Sequence, residues 1–116
     1  MNEVVQIPKE WRANVCRLLD LGCARVPCSV FERWEEMFQD TITTIEMLCA
    51  RVSEALQDDG IRGVKVLTMH NEPGEVYEFL FPLHDVDEKA YAKVSLRLTN
   101  NEVYFYSAHR AERGYL

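Results

Sequence analysis

Hydrophobic and polar residues alternate along two runs in the last quarter of the chain, 90–99 (AYAKVSLRLT) and 102–109 (EVYFYSAH), and a period of two marks half-buried strands. Asn100-Asn101 between the runs tolerates the positive φ that a two-residue hairpin turn demands. With those asparagines at the tip, Thr99 faces Glu102, Leu98 faces Val103, Leu96 faces Phe105, Val94 faces Ser107 and Ala92 faces His109. Directly opposed residues share a face. One face then reads Ala92, Val94, Leu96, Leu98, Val103 and Phe105, with Ser107 and His109 at its far end, and forms a core. The other reads Tyr91, Lys93, Ser95, Arg97, Thr99, Tyr104, Tyr106 and Arg110, mixing tyrosines with cations. A one-residue slip in register would carry His109 to this second face.

Upstream the period is helical. Pro8 suits the first position of a helix whose stripe is Trp11, Val15, Leu18 and Leu19, with Gly22 as its left-handed stop. Residues 23–28 read as a connector. Ser29 and Glu32 have capping-box spacing for a second helix that buries Phe31, Trp34, Met37 and Phe38. Asp40 caps a third helix striped by Ile42, Ile45, Leu48 or Cys49, Val52 and Leu56, unless one helix runs from 30 to 57. From Gly63 the period becomes two. Val64–Met69 and Val76–Phe81 read as strands around an Asn71-Glu72-Pro73-Gly74 turn of type II form, and Pro82 ends the second of them. The pattern predicts an α+β fold, one domain over residues 1–116. Two or three N-terminal helices pack on one face of a four-stranded antiparallel meander and leave the other face uncovered.

Composition sharpens this reading in three respects. An apolar share of 47% with 10% aromatics supports a packed core and argues against disorder. No apolar run is long enough to span a bilayer, and the first residues lack the basic and apolar regions of a signal peptide, so a cytoplasmic protein without a membrane partner is expected. Cys16, Cys23, Cys28 and Cys49 lack CxxC spacing and read as reduced thiols; no metal site and no cofactor is expected. The net charge of −6 is unevenly spread. Over 32–59, Arg33 and Arg51 stand against eight carboxylates, a net −6, whereas 89–116 is +3.

The candidate site is the uncovered sheet face. Lys93, Arg97 and Arg110 could hold phosphates while Tyr91, Tyr104 and Tyr106 stack bases, with His109 and His70 near the rim. A His or Lys beside a bound phosphate could assist attack by a 2′-hydroxyl. The same residue types also furnish an ordinary solvated sheet face. His84 with Asp85 and Asp87 is a weak metal motif.

Residues 75–109 carry a Val76-Tyr77 strand, then Tyr91-x-Lys93, then a hairpin closing on Ser107-x-His109. This pattern resembles the C-terminal half of mRNA-interferase toxins of the motility quorum-sensing regulator type, within the RelE/barnase-like RNase group. The resemblance implies helices before an antiparallel sheet and a metal-independent endoribonuclease. It also implies RNA-contacting Tyr91 and Lys93, with His109 in place of a terminal basic residue. Such toxins are usually basic, whereas this chain is acidic. Three functional readings follow: a toxin-like protein that binds and cleaves RNA; a non-enzymatic module of antitoxin, immunity or nuclease-inhibitor kind whose acidic helices dock a basic partner; and a homodimer paired through the tyrosine-rich face.

Overall fold

In the computed structural model, residues 3–38, 44–83 and 88–111 are described. The first helix, α1 (Lys9–Asp20), starts one residue later than expected, with Pro8 in the cap position. Its end is a Schellman closure. Cys23 N–H donates to the Leu18 carbonyl at 2.8 Å and Gly22 N–H to that of Leu19 at 3.0 Å. Gly22 sits at φ +77°, where a side chain would be strained. Trp11, Val15, Leu18 and Leu19 form its buried stripe as expected.

The second helix, α2 (Cys28–Phe38), begins two residues early. The Val30 and Phe31 amides both bond to the Pro27 carbonyl, so Ser29 lies inside the first turn and does not cap it. The third, α3 (Ile45–Leu56), is a separate helix. The Thr44 side chain caps it by accepting the Met47 amide at 3.1 Å. Leu48, Cys49, Val52 and Leu56 are buried there, while Ile45 is 37% exposed. Asp40, Ile42 and the His84–Asp87 loop lie outside the described residues.

Among the described residues the sheet has six strands, not four: β1 (Val4–Gln6), β2 (Ala24–Arg25), β3 (Arg62–Val66), β4 (Glu75–Leu83), β5 (Glu88–Arg97) and β6 (Glu102–Arg110). Their order is β1-β3-β4-β5-β6-β2. The last four strands in sequence make the expected antiparallel meander, flanked by an antiparallel β1 and by β2, which runs parallel to β6. The sheet is therefore mixed. Strands of two or three residues complete no alternation, so neither flanking strand leaves a periodic trace in the sequence. Pro82 does not end β4; it pairs with Lys89 beyond the last residue matched by β3, where its missing N–H breaks no bond to that neighbour.

The helices cover one face of the sheet. The Trp11 ring meets Tyr77 edge-on at 4.9 Å, and Trp34 stacks on Phe81 at 6.1 Å. Phe79, Phe81, Val94 and Phe105 complete the core between the layers. Arg12, buried inside this layer, ties three elements together. It donates to the carbonyl of Ile7 at 3.1 Å and that of Leu56 at 2.9 Å, and to the Asp59 carboxylate at 3.0 Å. Arg12→Met is expected to strand both carbonyls and lower stability by about 2 kcal/mol. Urea unfolding should show a lower midpoint with an unchanged slope.

Candidate functional site

The β5–β6 hairpin sets which side chains face away from the helices. Its turn spans four residues, Leu98–Asn101, with Asn101 at φ +50° and its amide bonded to the Leu98 carbonyl. Arg97 therefore pairs with Glu102, Leu96 with Val103 and Val94 with Phe105. This shift of two residues preserves the expected faces but moves Leu98 out of the core into the turn, 54% exposed.

A bulge then interrupts the ladder between Lys93 and Val94, with Tyr106 as the extra residue. Beyond it Lys93 pairs with Ser107, Ala92 with Ala108, Tyr91 with His109 and Ala90 with Arg110. Ser107 and His109 thus leave the apolar face. Arg110 moves to the helix side, where its guanidinium donates to the Met37 carbonyl at 3.4 Å near the C-terminus of α2. The packing reason is plain: the small Ala108, not an imidazole, enters the core opposite Ala92, and both are almost fully buried.

The outer face accordingly gathers Tyr91, Lys93 and His109. The Tyr91 and His109 rings stack at 4.8 Å and 29°, and the residues are only 6% and 3% exposed. His109 Nδ1 lies 2.9 Å from the Arg110 carbonyl; a carbonyl only accepts, so Nδ1 carries the proton of that bond. Lys93 is half-buried, opposite Glu78 on β4 and Ser107 on β6.

Arg97, Tyr104 and Tyr106 also come together, around a residue the sequence reading did not select. Glu72 reaches over the sheet from the β3–β4 loop. The loop does not form the expected turn about Pro73-Gly74: the left-handed residue is Asn71, at φ +66°. Gly74 serves close approach instead, since a Cβ there would meet the Leu96 carbonyl oxygen and Ser95 Oγ in hard contact. The Glu72 side chain, 2% exposed, accepts five hydrogen bonds. They come from Gly74 N at 2.9 Å, Ser95 Oγ at 2.7 Å, Arg97 Nε at 2.9 Å, Arg97 Nη2 at 2.7 Å and the Tyr106 hydroxyl. The Arg97 fork, with the remaining donors behind it, holds the carboxyl far below its ordinary range, at about 2. Burial, then the adjacent carboxylate, pushes the Tyr106 hydroxyl up.

Arg97 is held elsewhere too. It donates to Glu102 at 3.1 Å and lies over the Tyr104 ring at 4.2 Å. Nearby, Arg25 pairs with Glu102 and Lys65 with Glu75, both at 3.5 Å. A Glu in a turn beside a strand bearing an outward Arg was the available clue to this cluster. Composition could not supply it, because the pairing depends on how the loop folds back.

The helix layer contrasts with this neutralised face. Glu32, Glu35 and Glu36 are exposed on α2 and Glu46 on α3, and none makes an ion pair among the described residues. All four cysteines are free thiols, and among the described residues no three His, Cys, Asp or Glu side chains group as metal ligands would. No helix among the described residues is long and apolar enough to cross a membrane. Comparison of the chain with protein-family models, with curated proteins and with solved structures finds no match.

Proposed function

We propose that this chain is a non-enzymatic protein-interaction module that docks a basic partner protein on its acidic helices. One observation carries the reading: Glu72, Glu75 and Glu102 on the sheet side pair with Arg97, Lys65 and Arg25, whereas Glu32, Glu35, Glu36 and Glu46 stand exposed and unpaired among the described residues. Unneutralised like charges on one surface raise the association rate of an oppositely charged partner and select against like-charged ones. Glu32, Glu35 and Glu36, at i, i+3 and i+4, share one face of α2.

The test measures binding of fluorescent oligolysine at low salt. A Glu35→Lys/Glu36→Lys variant should bind about tenfold or more weakly, with a shallower salt dependence. The matched Glu3→Lys/Glu75→Lys variant should bind like the parent. Equal binding by the parent and the α2 variant would remove the proposal.

A second reading, RNA binding and cleavage, is favoured by the meeting of Tyr91, Lys93 and His109 on one face. It predicts that total RNA is cut by the parent and spared by Lys93→Ala. The interaction reading predicts intact RNA with both.

A further inference from the structure

Where α1 ends and α3 begins, their surfaces enclose a groove of about 460 Å³. Leu19 and Cys49 are its buried floor, Ile45 and Ala50 stand on the α3 side, and the acidic residues Asp20 and Glu46 belong to its lining. Among the described residues no Lys, Arg or His lines it. Leu21, next in the chain to Asp20, is 67% exposed.

Two features distinguish this groove from an ordinary surface dimple. The first is charge. Asp20 is the last residue of α1, where the helix dipole is already negative, so its carboxylate is poorly placed for the helix; Ser53 Oγ donates to it at 3.0 Å, but no cation pairs with it among the described residues. Glu46, also in the lining, adds a second carboxylate with no ion pair among the described residues. The second is apolarity. Ile45 begins α3 with more than a third of its surface exposed, off the buried stripe of that helix. Burial, then Glu46, pushes the Cys49 thiol up to about 11, so at neutral pH it remains a protonated, small apolar wall.

We infer that this groove is the anchor point of the basic partner, taking one aliphatic side chain from a segment in which Lys or Arg flanks that side chain. The inference rests on the interaction reading above and adds to it a place and a side-chain class. Charge complementarity selects the occupant: the two carboxylates and the α1 carbonyl end favour cations at the mouth, and the Leu19–Ile45–Cys49 surface favours an apolar group between them. A purely polar basic segment would satisfy the carboxylates and leave the apolar floor wet.

The experiment compares two labelled peptides of equal charge by fluorescence anisotropy, one of Lys-Lys-Leu-Leu repeats and one of Lys-Lys-Ser-Ser repeats. The leucine peptide should bind about tenfold tighter, as expected for burying most of one leucine side chain. Ala50→Trp, which fills the groove from an exposed position, and Ile45→Asn, which removes its apolar wall, should each erase that preference and leave the serine peptide unaffected. Glu35→Lys/Glu36→Lys should weaken both peptides alike. Equal binding of the two peptides, or a leucine preference that survives both groove variants, overturns the anchor while the acidic-helix reading stands. Failure of both peptides to bind at low salt overturns the two together. A monomer–dimer equilibrium abolished by Ala50→Trp would assign the groove to a second copy of this chain and overturn the inference.

Discussion

Glu72→Ala is expected to cost on the order of 3–5 kcal/mol of stability, because it removes one partner of a buried ion pair and leaves the other behind. Arg97 would keep Glu102 at 3.1 Å but lose both arms of its fork, and Ser95 Oγ, Gly74 N and the Tyr106 hydroxyl would each lose their acceptor. The same pair governs the response to acid. The folded carboxyl, at about 2, lies below its unfolded value near 4.5, so its contribution is complete above roughly pH 4.5 and falls away as the pH drops toward 2. The difference corresponds to stability on the order of 3 kcal/mol. Urea midpoints measured across this window should fall steeply for the parent and much less for Glu72→Gln, whose side chain does not titrate. Parallel curves would show that the cluster contributes nothing to the acid response.

The outer face of the sheet shows what a sequence carries and what it does not. Alternation along 90–97 and 102–105 places Val94, Leu96, Val103 and Phe105 in the core, and all four are buried there. The helical stripe of Trp11, Val15, Leu18 and Leu19 is equally legible, since 3.6-residue periodicity over three turns is hard to mistake. The turn was not. Asn100-Asn101 is compatible with a two-residue or a four-residue connection, and the longer one wins because Asn101 alone takes the positive φ. Nor was the bulge legible. Val-Tyr-Phe-Tyr-Ser-Ala-His alternates well enough for either parity at its end, and the bulge at Tyr106 sets it, placing Ala108 and not His109 opposite Ala92 in the core. Tyr91, Lys93 and His109 meet on one face, and so do Arg97, Tyr104 and Tyr106, while Arg110 turns to the helix side. The chemistry of the second group depends on a carboxylate from a distant turn, a contact that no local pattern encodes.

That turn supplies the other large expected effect. Gly74→Ala should destabilise the protein by about 3 kcal/mol, at the upper end for overpacking, because the obstacle is the Leu96 carbonyl, which cannot rotate aside as a side-chain end would. Gly74 has an ordinary φ, so the penalty arises from contact and not from backbone strain. The control is Gly60→Ala, where the added methyl would meet nothing closer than Asp58 Oδ1 at 3.4 Å; its change should stay within about 0.5 kcal/mol. A second comparison separates simple crowding from loss of the Glu72 cluster. If Gly74→Ala acts by lifting the loop away from β5, it also pulls Glu72 off Arg97, and the two substitutions share part of one cost. In the Glu72→Ala background Gly74→Ala should therefore cost less than in the parent, with a coupling energy on the order of 1 kcal/mol or more. Strict additivity would mean that Glu72 keeps its grip on Arg97 when the loop is displaced, and that the close approach at Gly74 and the buried ion pair stabilise the sheet independently.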